Sequence, residues 1–151
     1  MKIGQCIERI KTFFKKESEE DDDNDNFMAD KSRGTKIRHA MDVNTSVEDL
    51  KKHARNKEFE IRLAVVLNPN VTSDLLKYLA NDENFAVREA VARHPKTPGI
   101  KLLELAKDKN YLVRKAVAEN ANTPKDILII LYADPSPSVR REVMKNYKHS
   151  S

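Results

Sequence analysis

The 151-residue chain is poor in the residues that open, staple or decorate a fold. It has three glycines, one cysteine, no tryptophan and 6% aromatic residues. With so few glycines a phosphate-cradling loop is not expected. The lone Cys6 permits no internal disulfide and fits a reducing, cytoplasmic location. One cysteine and four scattered histidines (His39, His53, His94, His149) give no metal-ligand spacing, so no metal or other cofactor is expected. No apolar run reaches the roughly 18–20 residues that span a bilayer. The lysine-bearing N-terminus lacks the continuous apolar core of a signal peptide. There is no nucleophile elbow and no clustered His/carboxylate pair, so the chain reads as a non-enzyme.

What is present favours helix. The chain is 34% charged and 39% hydrophobic, with abundant Ala, Leu, Lys and Glu. Its net charge of +4 conceals strong segregation. Residues 1–16 carry five Lys/Arg and one Glu, residues 17–30 eight acids and no base, and residues 31–41 four bases. The expected organisation is a basic amphipathic helix at 1–16, an acidic flexible linker at 17–36, and a helical domain at 37–149.

That domain is periodic. Arg62, Arg88, Arg114 and Arg140 stand 26 residues apart, and four repeats follow without a gap: 42–67, 68–93, 94–119 and 120–145. Before the first, KIRHAMDVNTS (36–46) looks like the end of a further repeat with two residues deleted. Each repeat reads as two short helices. The first begins after Thr or Thr-Pro and carries Leu50, Leu76, Leu102 and Leu128, then His53, Leu79, Leu105 and Leu131 three residues on. His53 reads as a degenerate core position. The second helix carries Ile61, Val87, Val113 and Val139, then Val65, Val91, Val117 and Val143. Between them lie the small Ala64, Ala90 and Ala116, and then Glu142. Its expected stop is Asn68, His94, Asn120 or Asn146, in the left-handed cap conformation that Asn tolerates. A helix pair of this length cannot bury both faces alone, whereas a stack of pairs makes one continuous core.

The pattern D-x5-R within V-R-x-A-V-A, followed by N-P-x-T-P, resembles the leucine-rich repeat variant family, close kin of HEAT-like repeats, over roughly 37–149. The resemblance implies an all-α, right-handed α-solenoid of paired short helices. It also implies a ladder between adjacent repeats, carried over to Asp82, Asp108 and Asp134 with Arg62, Arg88, Arg114 and Arg140. The first repeat departs, with Asn56 for the acid. The founding member's iron–sulfur cluster sits on several cysteines; with Cys6 alone it is not carried over. A catalytic acid/Arg pair occurs once, whereas this one recurs in three of four repeats, which marks it as structural.

Two surfaces and one row pattern bear on partners. On the second helices the outward rows read Leu63, Glu89, Lys115, Arg141 and Leu67, Arg93, Glu119, Lys145. Opposite signs alternate down the second row, which argues against nucleic acid, since a phosphate-tracking groove needs a stripe of one sign. These rows remain candidate protein contacts. Ile129 and Ile130 stand where the first repeat has Lys51 and Lys52, and form a candidate partner patch or homodimer seam. In the first segment, Ile3, Cys6, Ile7, Ile10, Phe13 and Phe14 share one helical face with the basic residues outside it. Such a helix suits an anionic membrane surface, making a membrane-associated adaptor the alternative, or a docking site on protein. The leading expectation is a small scaffold that binds another protein; a HEAT-like nucleic-acid binder is the third reading.

Overall fold

The computed structural model describes residues 26–149. Among the described residues every regular element is a helix and there is no strand. The helices are α1 (Asn26–Met41), α2 (Val47–His53), α3 (Phe59–Leu67), α4 (Ser73–Leu79), α5 (Phe85–Arg93), α6 (Gly99–Leu105), α7 (Tyr111–Glu119), α8 (Lys125–Tyr132) and α9 (Pro137–His149). The chain divides into two compact units, Met1–Val71 and Thr72–Ser151. The 1–16 segment, with the helical face expected of Ile3, Ile7, Ile10, Phe13 and Phe14, lies outside the described residues.

In the first unit α1 packs on α2 and α3. Ile37 and Ala40, three apart on α1, are buried, as are Leu50 on α2 and Ile61 and Val65 on α3. Arg33 reaches Glu58 at 3.6 Å and Glu60 at 3.9 Å beside the start of α3. Residues 26–36 were expected within the acidic linker and instead form the first part of α1. They carry no periodic apolar stripe, so the helix is legible only once its partners are in place: packing through Ile37 and Ala40 and the Arg33 bridge hold it. No deletion separates α1 from the repeats either. Asn68 donates to the carbonyls of Ala40 and Asp42, 28 and 26 residues back. Asn120 has the same spacings to Ala92 and His94.

In the second unit the repeat's second helices stack, α5 on α7 and α7 on α9. Val87, Ala90 and Val91, then Val113, Ala116 and Val117, then Val139 and Val143 are buried along that stack. Each fully buried valine contributes on the order of 1.5–3 kcal/mol. The first helices bury Leu76, Leu79, Leu102, Leu105, Leu128 and Leu131, joined by Leu75 and Ile127.

The helix ends differ from the expected chemistry in an instructive way. No non-glycine residue among those described has positive φ. Asn68 (φ −70, ψ 132), His94 (−71, 130) and Asn120 (−74, 119) stop their helices in extended conformation. Their side chains act instead as backbone brackets: Asn68, His94 and Asn120 accept from the N–H two residues on, at 2.8, 3.1 and 2.9 Å. Asn146 does not stop α9, which runs on to His149. Neither the following Pro of Asn68 and His94 nor the Thr that closes the turn after Asn120 is present there. The threonines also divide their work. Ser46 and Thr72 cap the next helix, accepting from Asp49 and Leu75 N–H. Thr97 and Thr123 donate backwards to Val91 and Val117 carbonyls at 2.5 and 2.6 Å, and Thr45 does so to His39. Pro98 and Pro124 then occupy the N-cap positions of α6 and α8 rather than their first turns.

Candidate functional site

The most elaborate polar arrangement is built at the turn into each second helix. In the second unit, Asn84 and Asn110 cap α5 and α7, their side chains accepting from Ala86 and Leu112 N–H. Two residues earlier, Asp82 and Asp108 accept from the N–H of Asn84 and Asn110. This bracket aims the turn carbonyls at the helix arginine. Arg88 Nη1 donates to Asp82 and Glu83 carbonyls at 2.7 and 3.0 Å. Its Nε and Nη2 donate to Asp108 at 2.6 and 3.0 Å. Arg114 repeats the pattern: Nη1 to Asp108 and Lys109 carbonyls, Nε and Nη2 to Asp134 at 2.7 and 3.1 Å. The spacing from arginine to carboxylate is 20 residues in both pairs. Arg62, in the first unit, donates to Asn56 and Lys57 carbonyls. Arg140 donates through Nη1 to Asp134 and Pro135 carbonyls.

The Arg88–Asp108 and Arg114–Asp134 contacts are structural ion pairs by geometry. Each is bidentate, and the Asp108 and Asp134 side chains are almost fully covered. Burial pushes the Asp108 pKa up, but hydrogen bonds from Arg88 and the Asn110 N–H outweigh it and hold the carboxyl below its ordinary value. Asp134 behaves alike, with Arg114 and the Ser136 N–H as donors. Hydrogen bonding to their carboxylates raises Arg88 and Arg114. Every nitrogen of both guanidiniums donates to a protein acceptor.

The charged rows turn inward on themselves. Arg93 pairs with Glu89 on its own helix at 2.9 Å and with Glu119 on α7, and Lys115 pairs with Glu119 at 3.3 Å. Only 8% of the Arg93 side chain is exposed. Four residues expected as partner contacts thus largely neutralise one another, because opposite signs stand in register on adjacent helices. Lys145 pairs with Glu142 at 3.1 Å and stays exposed, as does Arg141.

The apolar surface lies elsewhere. Ile129 is 61% exposed and Ile130 48%, side by side on α8. Tyr132 and Met144 are also exposed. A row missed from the sequence stands at the first residue of the second helices: Phe85 and Tyr111, 26 apart, are both exposed. Its signal was the same period, with Phe59 in the first repeat. In the first unit His39 Nδ1 lies 2.9 Å from His53 Nε2, the rings edge-on. Burial foremost, then the charge of His39, lowers the His53 pKa. Among the described residues no group of three or more His, Cys, Asp or Glu is arranged to hold a metal, and no helix is long and apolar enough to cross a membrane. No family model, curated protein or solved structure matches this chain.

Proposed function

We propose that this chain is a non-enzymatic scaffold that binds another protein, built as a short right-handed α-solenoid of the leucine-rich repeat variant or HEAT-like kind. The observation that carries the reading is the exposed Ile129/Ile130 pair on α8. At these positions other repeats place Lys51 and Lys52, Lys77 and Tyr78, or Leu103 and Glu104. Two adjacent branched apolar side chains held in water gain by being covered, whereas the self-neutralised charged rows have little left to offer a partner. The repeat period and the bidentate pairs support the array itself.

The test compares wild type with Ile129→Asp/Ile130→Lys in capture from the native cell followed by crosslinking. Because both side chains are exposed, the double variant should keep its melting midpoint within roughly 0.5 kcal/mol of stability while losing the captured protein. Capture of the same protein by both would reject this patch as the contact. Binding of the intact chain to anionic liposomes, lost on neutralising the lysines of 1–16, would favour the membrane-adaptor reading instead.

A further inference from the structure

Arg140 presents a guanidinium fork that the fold positions and leaves open. Its Nη1 is fixed by the Asp134 and Pro135 carbonyls at 2.6 and 3.0 Å, as Arg88 and Arg114 are fixed by theirs. In those two arginines the remaining fork, Nε with Nη2, grips an aspartate of the following repeat. The Arg140 fork has no acceptor among the described residues. The side chains around it agree. Met144 is 50% exposed, while Ala92 and Ala118 in the same column are completely buried. That column faces the following repeat, since the Ala92 and Ala118 carbonyls receive the amides of Asn120 and Asn146. Tyr132 is likewise exposed where Ala80 and Ala106 are buried. A preorganised guanidinium fork is thus bordered by uncovered apolar side chains and by exposed Arg141 and Lys145.

We infer that this face docks the acidic segment 17–25 of a second copy of the chain, giving head-to-tail self-association. Charge complementarity selects the occupant: residues 17–25 hold seven acids and no base. So does local sequence. The sockets of the fold are filled by Asp-x-Asn or Asp-x-Ser turns, Asp108-Lys109-Asn110 and Asp134-Pro135-Ser136, and Asp22-Asp23-Asn24 has the same form. Stacking of the first repeat of another copy on this face is disfavoured, because Asn56 stands where the carboxylate is needed. Two such faces meeting each other would oppose Arg140, Arg141 and Lys145 to themselves. Donor and acceptor lie on different parts of the chain, so a single contact is heterologous and leaves one fork and one acidic segment free to engage a further copy. Being exposed and charge-assisted, it weakens with salt.

The test is sedimentation velocity on the full chain at low and high ionic strength over rising concentration. At low salt the weight-average mass should climb above the 17.3 kDa of one chain and fall back at high salt. Two full-length variants each remove one half of the contact: Asp21, Asp22, Asp23 and Asp25 all to Asn, and Arg140→Gln. Each should weaken association by at least about tenfold, with circular dichroism unchanged. Mixed together, they retain one intact fork and one intact acidic segment, and should form dimers that go no further. Arg140→Lys, which keeps the charge but not the fork, should behave as Arg140→Gln. A wild-type chain that stays at one-chain mass throughout, an Arg140→Gln chain that associates like wild type, or a mixture that stays monomeric would each overturn the inference.

Discussion

Asp108 is held by three donors: Arg88 Nε and Nη2 and the N–H of Asn110. Its removal strips all of them at once and leaves a nearly buried guanidinium without its counter-charge. Asp108→Ala should therefore cost about 3–5 kcal/mol, read as a lowered midpoint in urea unfolding. An unchanged midpoint would show that the pair contributes nothing net. Asn120 is the other inter-repeat tether, donating to the Ala92 and His94 carbonyls at 2.7 and 3.1 Å. Asn120→Ala leaves a buried carbonyl unsatisfied, and the same assay should register a loss of about 2–3 kcal/mol. The Asp and Arg columns were legible in the sequence because opposite charges recurring at one fixed period mark a contact that every repeat makes. The Asn column was visible too, but its repeat at a helix stop suggested a local cap. What decides between a local and a distant partner is backbone φ, which the sequence does not display.

At the scale of the element, the turn between repeats tolerates two solutions to one problem. Thr97 and Thr123 close it with a hydroxyl donated to the helix behind, while Val71, in the same column, is buried without one. Thr123→Val replaces a hydrogen bond by apolar contact of similar shape, so it should shift stability by less than about 1 kcal/mol. A loss as large as that of Asn120→Ala would mean that the hydroxyl, not the shape, holds the turn. Second helices were readable from their columns of Val and Ala. Helix α1 was not, because residues 26–36 have no apolar period and the element is held by contacts with α2 and α3. The end of α9 escapes the pattern for a related reason: Asn146 keeps its tether to the Ala118 carbonyl at 2.7 Å, yet the residues after it lack the signals that stop the other helices.

For the whole molecule the titrating groups define two pH windows. Asp108 and Asp134 have lowered pKa values in the folded state. Their stabilisation is present above the unfolded value of roughly 4 and is lost as pH falls through the folded value. His53 and His94 are also lowered, burial foremost, so the unfolded chain takes up those protons more readily than the folded one. Their contribution is complete above roughly 6.5 and is lost as pH falls through their folded values. Urea unfolding from neutral to acid pH should show a first decline from the two histidines and a second from the carboxylates. His53→Leu restores the leucine that Leu79, Leu105 and Leu131 bury in the same column, and should reduce the first decline to the share of His94 while leaving the second. A first decline unchanged by the substitution would remove His53 as a source. All-helical character and the period were legible because they are written in columns, and columns average over local exceptions. The candidate contact faces were less so, because exposure depends on which neighbour covers a position. Arg93 and Glu119, read from the sequence as an outward row, pair with each other.

Two tethers of fixed reach, 20 residues for the arginine pairs and 26–28 for the asparagines, join neighbouring repeats. Residues 120–145 carry fittings that face both ways: Asn120 and Asp134 toward the repeat before, Arg140 toward one after. A duplicated block of 26 residues would therefore arrive with its own fittings. It would satisfy the fork of the block it follows and offer a fork of its own. Lengthening by whole blocks costs the gene only a copying error in register, whereas gain of a single residue within a helix displaces a tether at once. The fold thus has a built-in unit of growth, and natural length variants of this chain are expected to differ by multiples of 26.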